Sequence, residues 1–377
     1  MLVYLDNSAT TKPCKAAVDA AAFSMSENYY NPSAAYAQAI EVEQMMQHTR
    51  DCILKQVRAK GRIVFTSGGT EADNIAILGA MKKRGASVAV TTAVEHHAVL
   101  DCVKSLERHE FIPVDSQGQL DMDALEAALK RNTGIGVVSV MQVNNEVGTI
   151  YPVDQIARMV HEHSDALVHC DGVQGFLHVQ TPQTEGIDLY TLSGHKIHAL
   201  KGAGALWIKE GVTLGQVNYG GGQENGERNG TENTPGIAAL GAAIETHQAL
   251  ETLSSRIMSN KLSLYHGIMD LYPSAKLNGP EPEKTAPHIL NISFTGIMAE
   301  TLLHALEGEG VLVSTGSACS ARRTNKSHVL AAMGLDPARI KSAIRFSLSR
   351  DTTLEEINYT LSCLKKILPV LARFKKR

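Results

Sequence analysis

The chain has 377 residues, with 36 lysines and arginines against 39 aspartates and glutamates and a net charge of -3. That balance excludes a dedicated nucleic-acid or membrane-surface binder, which needs a basic excess. With 44% hydrophobic and 20% charged residues the composition is globular, neither disordered nor fibrous, and the length calls for two or three domains.

No apolar run reaches the ~18 residues of a membrane span. Met1-Leu2-Val3-Tyr4-Leu5-Asp6 lacks the basic segment of a signal peptide, so a cytoplasmic protein is expected. The six cysteines are Cys14, Cys52, Cys102, Cys170, Cys319 and Cys363, and the closest two stand 38 positions apart. There is no C-x-x-C pair, so no metal site and no disulfide framework is read.

From about residue 50 to 210, β-branched runs alternate with helical patterns. Arg62–Thr66 reads as a strand and Thr70–Lys83 as a helix. Ser87–Thr91 is a strand, followed by a helix from His97 to His109. Gly136–Met141 and Ala166–Cys170 are strands around a helix over Val153–Glu162, and Leu189–Leu192 and Ala203–Ile208 complete the set. This alternation predicts a mainly parallel sheet with helices on both faces, whose ligand crevice lies beyond the carboxyl ends of the strands. After Gly230 the pattern changes: one long helix over Thr234–Ile268, a loop over Leu271–Pro287, a strand over Ile289–Phe294, a helix over Ala299–Leu306, a strand over Val311–Val313 and a last helix over Leu354–Phe374. These predict a smaller α+β domain.

The strand ends carry the chemistry. Ser67-Gly68-Gly69-Thr70-Glu71 opens a helix with free backbone N–H groups, a phosphate seat or a simple capped turn. His96 succeeds the next strand as an acid/base, a stacking partner or a capping residue. Asn144-Asn145-Glu146 succeeds the third. Asp171 ends the fourth strand and Lys196 lies just past the fifth. A buried carboxylate and a buried ammonium are costly to desolvate without partners. Two answers stand: an Asp171–Lys196 ion pair, or a Lys196 that holds pyridoxal phosphate as a Schiff base while Asp171 keeps the pyridine nitrogen protonated.

These motifs, with Asp6-Asn7-Ser8-Ala9-Thr10-Thr11, Gly220–Glu224, Gly230–Asn233, Val313–Ser320, Ser327–Leu330 and Arg345–Leu348, run over essentially the whole chain. The chain resembles the cysteine desulfurases of the NifS/IscS kind. The resemblance implies a fold-type-I α/β enzyme dependent on pyridoxal 5′-phosphate, with a mainly parallel seven-stranded sheet. It implies a large cofactor-binding domain over 12–251, and a small domain from 1–11 and 252–377 that carries a catalytic cysteine loop. By the same resemblance Lys196 holds the cofactor, Asp171 meets the pyridine nitrogen and His96 stacks on the ring and moves protons. Gln174 and Asn145 lie near the phenolic oxygen. Gly69, Thr70, Ser193 and His195 hold the phosphate, with Thr231 from the second subunit of a homodimer. Arg345 grips the substrate carboxylate beside Asn145, and Cys319 takes the sulfur of L-cysteine as a persulfide.

The implied partners are L-cysteine and a sulfur acceptor, such as an iron–sulfur scaffold, a tRNA-thiolation enzyme, or a thiamine or molybdenum-cofactor pathway protein. Neither direct nucleic-acid binding nor membrane attachment is expected. The rival readings are a selenocysteine lyase, a cysteine-sulfinate desulfinase, or a scaffold that docks a sulfur acceptor. Arg322, Arg323 and Lys326 are expected to depress the Cys319 pKa. The chain departs from the family pattern at Tyr36, Ala39, Asn225, Lys326 and Ser349.

Overall fold

A computed structural model describes residues 1–182, 186–316 and 327–373. Among these, seven strands form the large sheet. In spatial order they are Gly61–Thr66, Gly204–Lys209, Leu189–Ser193, Leu167–Asp171, Ile135–Met141, Val88–Thr92 and Arg108–Ile112. The junctions among the last five are parallel. Gly204–Lys209 alone runs against both of its neighbours. The mainly parallel seven-stranded sheet expected from the sequence is present.

The strands at the centre are buried throughout, which is why they read as continuous β-branched runs without polar alternation. Successive side chains still separate to opposite faces. Val137, Leu167, Leu189 and Leu206 pack in one cluster with Ala72, Ile75 and Ala76 of helix Gly69–Arg84. Val138, Val168, Tyr190 and Trp207 pack in the cluster on the other face.

A second core is built on a three-stranded antiparallel sheet in the order Ala343–Ser347, Ile289–Phe294, Ala275–Leu277. Helices Leu250–Leu271, Ala299–Gly308 and Leu354–Arg373 supply Leu264, Leu302 and Leu364 to it. Val3 and Leu5 belong to this core, and Val3–Tyr4 pairs in parallel with Val311–Leu312. The chain then crosses to the large sheet, where Thr11 N–H donates to His195 O at 2.8 Å. The first eleven residues thus strap one core to the other across the strand ends.

Three segments differ from the periodicity reading. The helix expected over Thr234–Ile268 is two, Thr234–Glu245 and Leu250–Leu271. Thr246 Oγ1 donates back to Ala242 O at 2.8 Å, ending the first helix with a side-chain bond that hydrophobic periodicity does not register. The helix from His97 stops at Lys104, and Arg108–Ile112 is an edge strand. Its exposed Arg108 and His109 hide the strand signal, as polar edges do. The loop over Leu271–Pro287 holds the short strand Ala275–Leu277.

Candidate active site

A cavity of about 210 Å³ lies at the carboxyl ends of the parallel strands. It gathers Gly69, Thr70, His96, Asn145, Asp171, Gln174, Ser193, His195, Lys196 and Arg345. Of the described residues assigned a role from the sequence, only Thr231 lies outside it, on an exposed loop. Cys319 lies outside the described residues, as do Arg322, Arg323 and Lys326.

One end of the cavity is built for an anion. Helix Gly69–Arg84 starts there behind Gly68, with no side chain capping its first N–H groups. Such a start carries free donors and the positive end of the helix dipole. A Cβ on Gly69 would sit 2.7 Å from Val173 Cγ2, so only glycine leaves that wall open. Ser193 ends its strand with Oγ buried and without a hydrogen-bond partner. His195 Nδ1 bonds to Thr10 Oγ1 at 3.2 Å. Burial, reinforced by the charges of Lys196 and Lys201, holds this imidazole down at about 4.

Lys196 closes a single 3-10 turn after the strand Leu189–Ser193. Its Nζ donates to Ser8 O at 2.5 Å and to Ala9 O at 2.8 Å, both from the N-terminal strap. Asp171 ends the neighbouring strand, 5% exposed, and its Oδ1 accepts the Val173 N–H at 2.9 Å. Burial raises the Asp171 carboxyl above the usual range, and the charge of Lys196 works against that rise. The two side chains proposed from their strand ends therefore face one cavity.

His96 takes the capping reading and also lines the cavity. Its Nδ1 accepts the Ala98 N–H at 3.1 Å and caps helix His97–Lys104. An accepting Nδ1 places the proton of the neutral ring on Nε2. Burial first, then the charge of Lys196, lowers this imidazole to about 4. Gln174 is fixed at both ends of its amide: Nε2 donates to Ser8 O at 3.0 Å and Oε1 accepts from His288 Nε2 at 3.3 Å.

Arg345 comes from the second core, 2% exposed on the strand Ala343–Ser347. Its Nη1 donates to Asn145 O at 2.9 Å and its Nη2 to Asp6 Oδ1 at 2.8 Å. Its Nε and Asn145 Oδ1 are both buried without hydrogen-bond partners. Two unsatisfied polar atoms beside one cavity are costly in an apo fold and are suited to a ligand with polar ends.

The cavity also contains residues given no role from the sequence. Ser8 and Ala9 contribute backbone oxygens, Met141 and Val143 form wall, and Asp73 sits one turn into helix Gly69–Arg84. Asp73 is fully buried, and burial together with the Asp171 charge raises its carboxyl. A charge among Ala72, Ile75 and Ala76 on a core-facing stripe was the available signal. Asn225, a departure from the family pattern, has φ +55. Asparagine tolerates that left-handed conformation better than most residues.

The chain matches the family model "Aminotransferase class-V" over residues 3–360. It is 39% identical over 379 residues to a cysteine desulfurase IscS of Clostridium botulinum, covering 97% of this chain and 94% of that protein. It is 38% identical to the protein of the same name from Dictyoglomus turgidum, over 98% of this chain and 95% of that one. Among solved structures, a NifS-like protein superposes with a TM-score of 0.91 at 34% identity, covering 98% of this chain and all of that one. By motif, cavity and similarity alike, the chain belongs to the class-V aminotransferase family and, within it, to the pyridoxal 5′-phosphate-dependent cysteine desulfurases of the NifS/IscS kind.

Proposed function

We propose that this cysteine desulfurase takes the sulfur of L-cysteine onto Cys319, releases L-alanine, and passes the sulfur to an acceptor protein. The observation that carries the reading is the single cavity that unites Lys196, Asp171, His96, Asn145 and Arg345 from four strand ends and two cores. A solved relative with a TM-score of 0.80 and 29% identity, SspA, is described in complex with cysteine. The overall change balances: one Cβ–S bond breaks, one S–S bond forms, and a thiol plus L-cysteine becomes a persulfide plus L-alanine.

The residues present fit pyridoxal 5′-phosphate. Gly69, Thr70, Ser193 and His195 would take its phosphate, Asp171 its ring nitrogen, Gln174 and Asn145 the phenolic side, and Lys196 would hold it covalently through Nζ. Bound there, the cofactor supplies an electron sink for the substrate α-carbon. Lys196 Nζ would take the α-proton, and the low basicity of His96 keeps its ring neutral with the proton on Nε2. Arg345 holds the substrate carboxylate with its fork of donors. Asp171, otherwise pushed toward protonation by burial, would be held ionised by a protonated ring nitrogen beside it.

Cys319 lies between two described flanks that meet the cavity wall. Ser314 N–H and C=O pair with Arg345, and the Ser327 hydroxyl donates to Glu146, next to Asn145. Thr231, exposed outside the cavity, would reach the phosphate of a second copy, which makes the working unit a homodimer.

The test is sulfide and alanine release from L-cysteine by cofactor-loaded protein with a reductant, beside Cys319→Ala. Equimolar products from the wild type and a loss of at least about 100-fold in the variant are expected. A variant that stays active on selenocysteine or cysteine sulfinate, with a wild type inactive on L-cysteine, would favour the lyase or desulfinase reading.

A further inference from the structure

Helix Ala37–Val57 carries His48 and Cys52 one turn apart, a spacing that puts both on one face. Helix Thr234–Glu245 ends against that face at Glu245. His48 Nε2 lies 2.7 Å from Glu245 Oε1, and Cys52 Sγ lies 3.7 Å from His48 Nε2. The three donor atoms all fall within 4.8 Å of one another. They border a cleft of about 440 Å³ that Asp51 and His247 also line. None of the three lines the Lys196 cavity.

We propose that His48, Cys52 and Glu245 form a zinc site. Imidazole, thiolate and carboxylate are the donors zinc takes, at bond lengths of about 2.0–2.3 Å. Tetrahedral angles at those lengths put nitrogen and sulfur about 3.6 Å apart, and nitrogen and oxygen about 3.3 Å apart. The His48–Cys52 spacing already matches. The Glu245 oxygen, hydrogen-bonded in the absence of an ion, needs to withdraw from His48 by about 0.6 Å and to close on Cys52 Sγ, now within 4.8 Å, to about 3.6 Å, which an exposed carboxylate can do by side-chain rotation. On binding, the Cys52 thiol proton leaves to solvent. The thiolate and carboxylate then neutralise the dication, and water from the cleft fills the fourth position. A sulfur and an imidazole ligand favour zinc over magnesium or calcium.

The place of the site gives it a role. The helix ends at Glu245, the chain turns over 246–249, and Leu250–Leu271 enters the second core through Leu253. A zinc ion there pins helix Ala37–Val57 to the joint between the cores, and stability should rise by mass action with bound metal.

The experiment uses the full-length, cofactor-loaded protein carrying Cys319→Ala, which removes the proposed sulfur-carrying thiol as a competing ligand. After chelator treatment and dialysis against micromolar zinc, about one zinc per chain is expected by elemental analysis. Cobalt in its place should give tetrahedral d–d bands at wavelengths beyond the cofactor's absorption. Zinc should raise the melting temperature of this parent. His48→Ala and Cys52→Ala should lose the metal and the melting shift, and Glu245→Gln should weaken both. His48 and Glu245 are exposed and Cys52 is partly buried, and circular dichroism would verify that each variant folds. Zinc content unchanged in folded His48→Ala and Cys52→Ala, or a parent that retains no zinc, overturns the site. Neither result bears on the desulfurase reading, which has its own assay.

Discussion

Among the described residues, Lys261 and Lys196 are both drawn into the molecule, and they are treated differently. Lys261, on helix Leu250–Leu271, has no exposed surface. Its Nζ donates to Pro282 O at 2.6 Å, Thr285 Oγ1 at 2.8 Å and Ala286 O at 2.9 Å. Three acceptors meet three N–H bonds, and there is no cavity beside it among the described ones. Lys196 is half-buried, donates to the strap carbonyls of Ser8 and Ala9, and borders the cavity with Asp171 and His96. A lysine enclosed by backbone ties the 282–286 turn to its helix. A lysine beside open space and a buried carboxylate is placed to react.

Three substitutions can break or sharpen that contrast. Lys196→Ala should have the largest effect, a loss of turnover of at least about 1,000-fold, with a melting temperature close to wild type. Sulfide release and calorimetry would measure the two. Lys261→Met should do the reverse. It keeps the volume but removes all three bonds to the turn, leaving Pro282 O to Thr285 and Ala286 O to the Ile289 N–H, and should lose about 1–3 kcal/mol of stability in urea denaturation with kcat intact. A Lys261→Met protein that folds normally and does not turn over would overturn the division.

Glu95→Gln should change least at acid pH, where the neutral amide stands in for the neutral carboxyl, and should act on the pH dependence. Glu95 is buried at the strand end before His96, its Oε1 accepting from Thr92 Oγ1 at 2.7 Å and Met141 N at 3.0 Å. Burial pushes its carboxyl up to about 8. The folded protein therefore keeps a proton that the unfolded chain gives up above about 4.3. This stabilisation is full below that value and is lost as pH rises toward 8, at a slope of at most about 1.4 kcal/mol per pH unit. Glu95→Gln should flatten the stability profile between pH 5 and 8, and denaturation at several pH values would show it. A steep profile in the variant would assign the proton elsewhere.

Much of the site was legible because a parallel sheet collects its chemistry at strand ends. Asp171, Lys196, His96 and Ser193 could each be found by inspecting the residues at the carboxyl end of an apolar run. Asp73 was not found, because its signal, a charge among Ala72, Ile75 and Ala76, lies inside a helix and not at a strand end. The Ser8 and Ala9 carbonyls were not found because backbone acceptors carry no residue signature. The proposed zinc ligands were missed for a related reason. A search for paired cysteines overlooks one histidine and one cysteine a helical turn apart whose third partner is 193 positions away in Glu245.

The sequence by itself determined the strand–helix alternation, the turn at Gly68–Gly69 and the family, because these are local patterns whose order is read along one chain. Only the tertiary structure decided which strands are neighbours and that Gly204–Lys209 runs against the rest. It alone joined Arg345 to Asp6, and Lys196 to Ser8. Those choices depend on burying two faces of a sheet and a second core at once. Such burial is settled by packing between segments hundreds of residues apart, where the periodicity of any one segment carries no information.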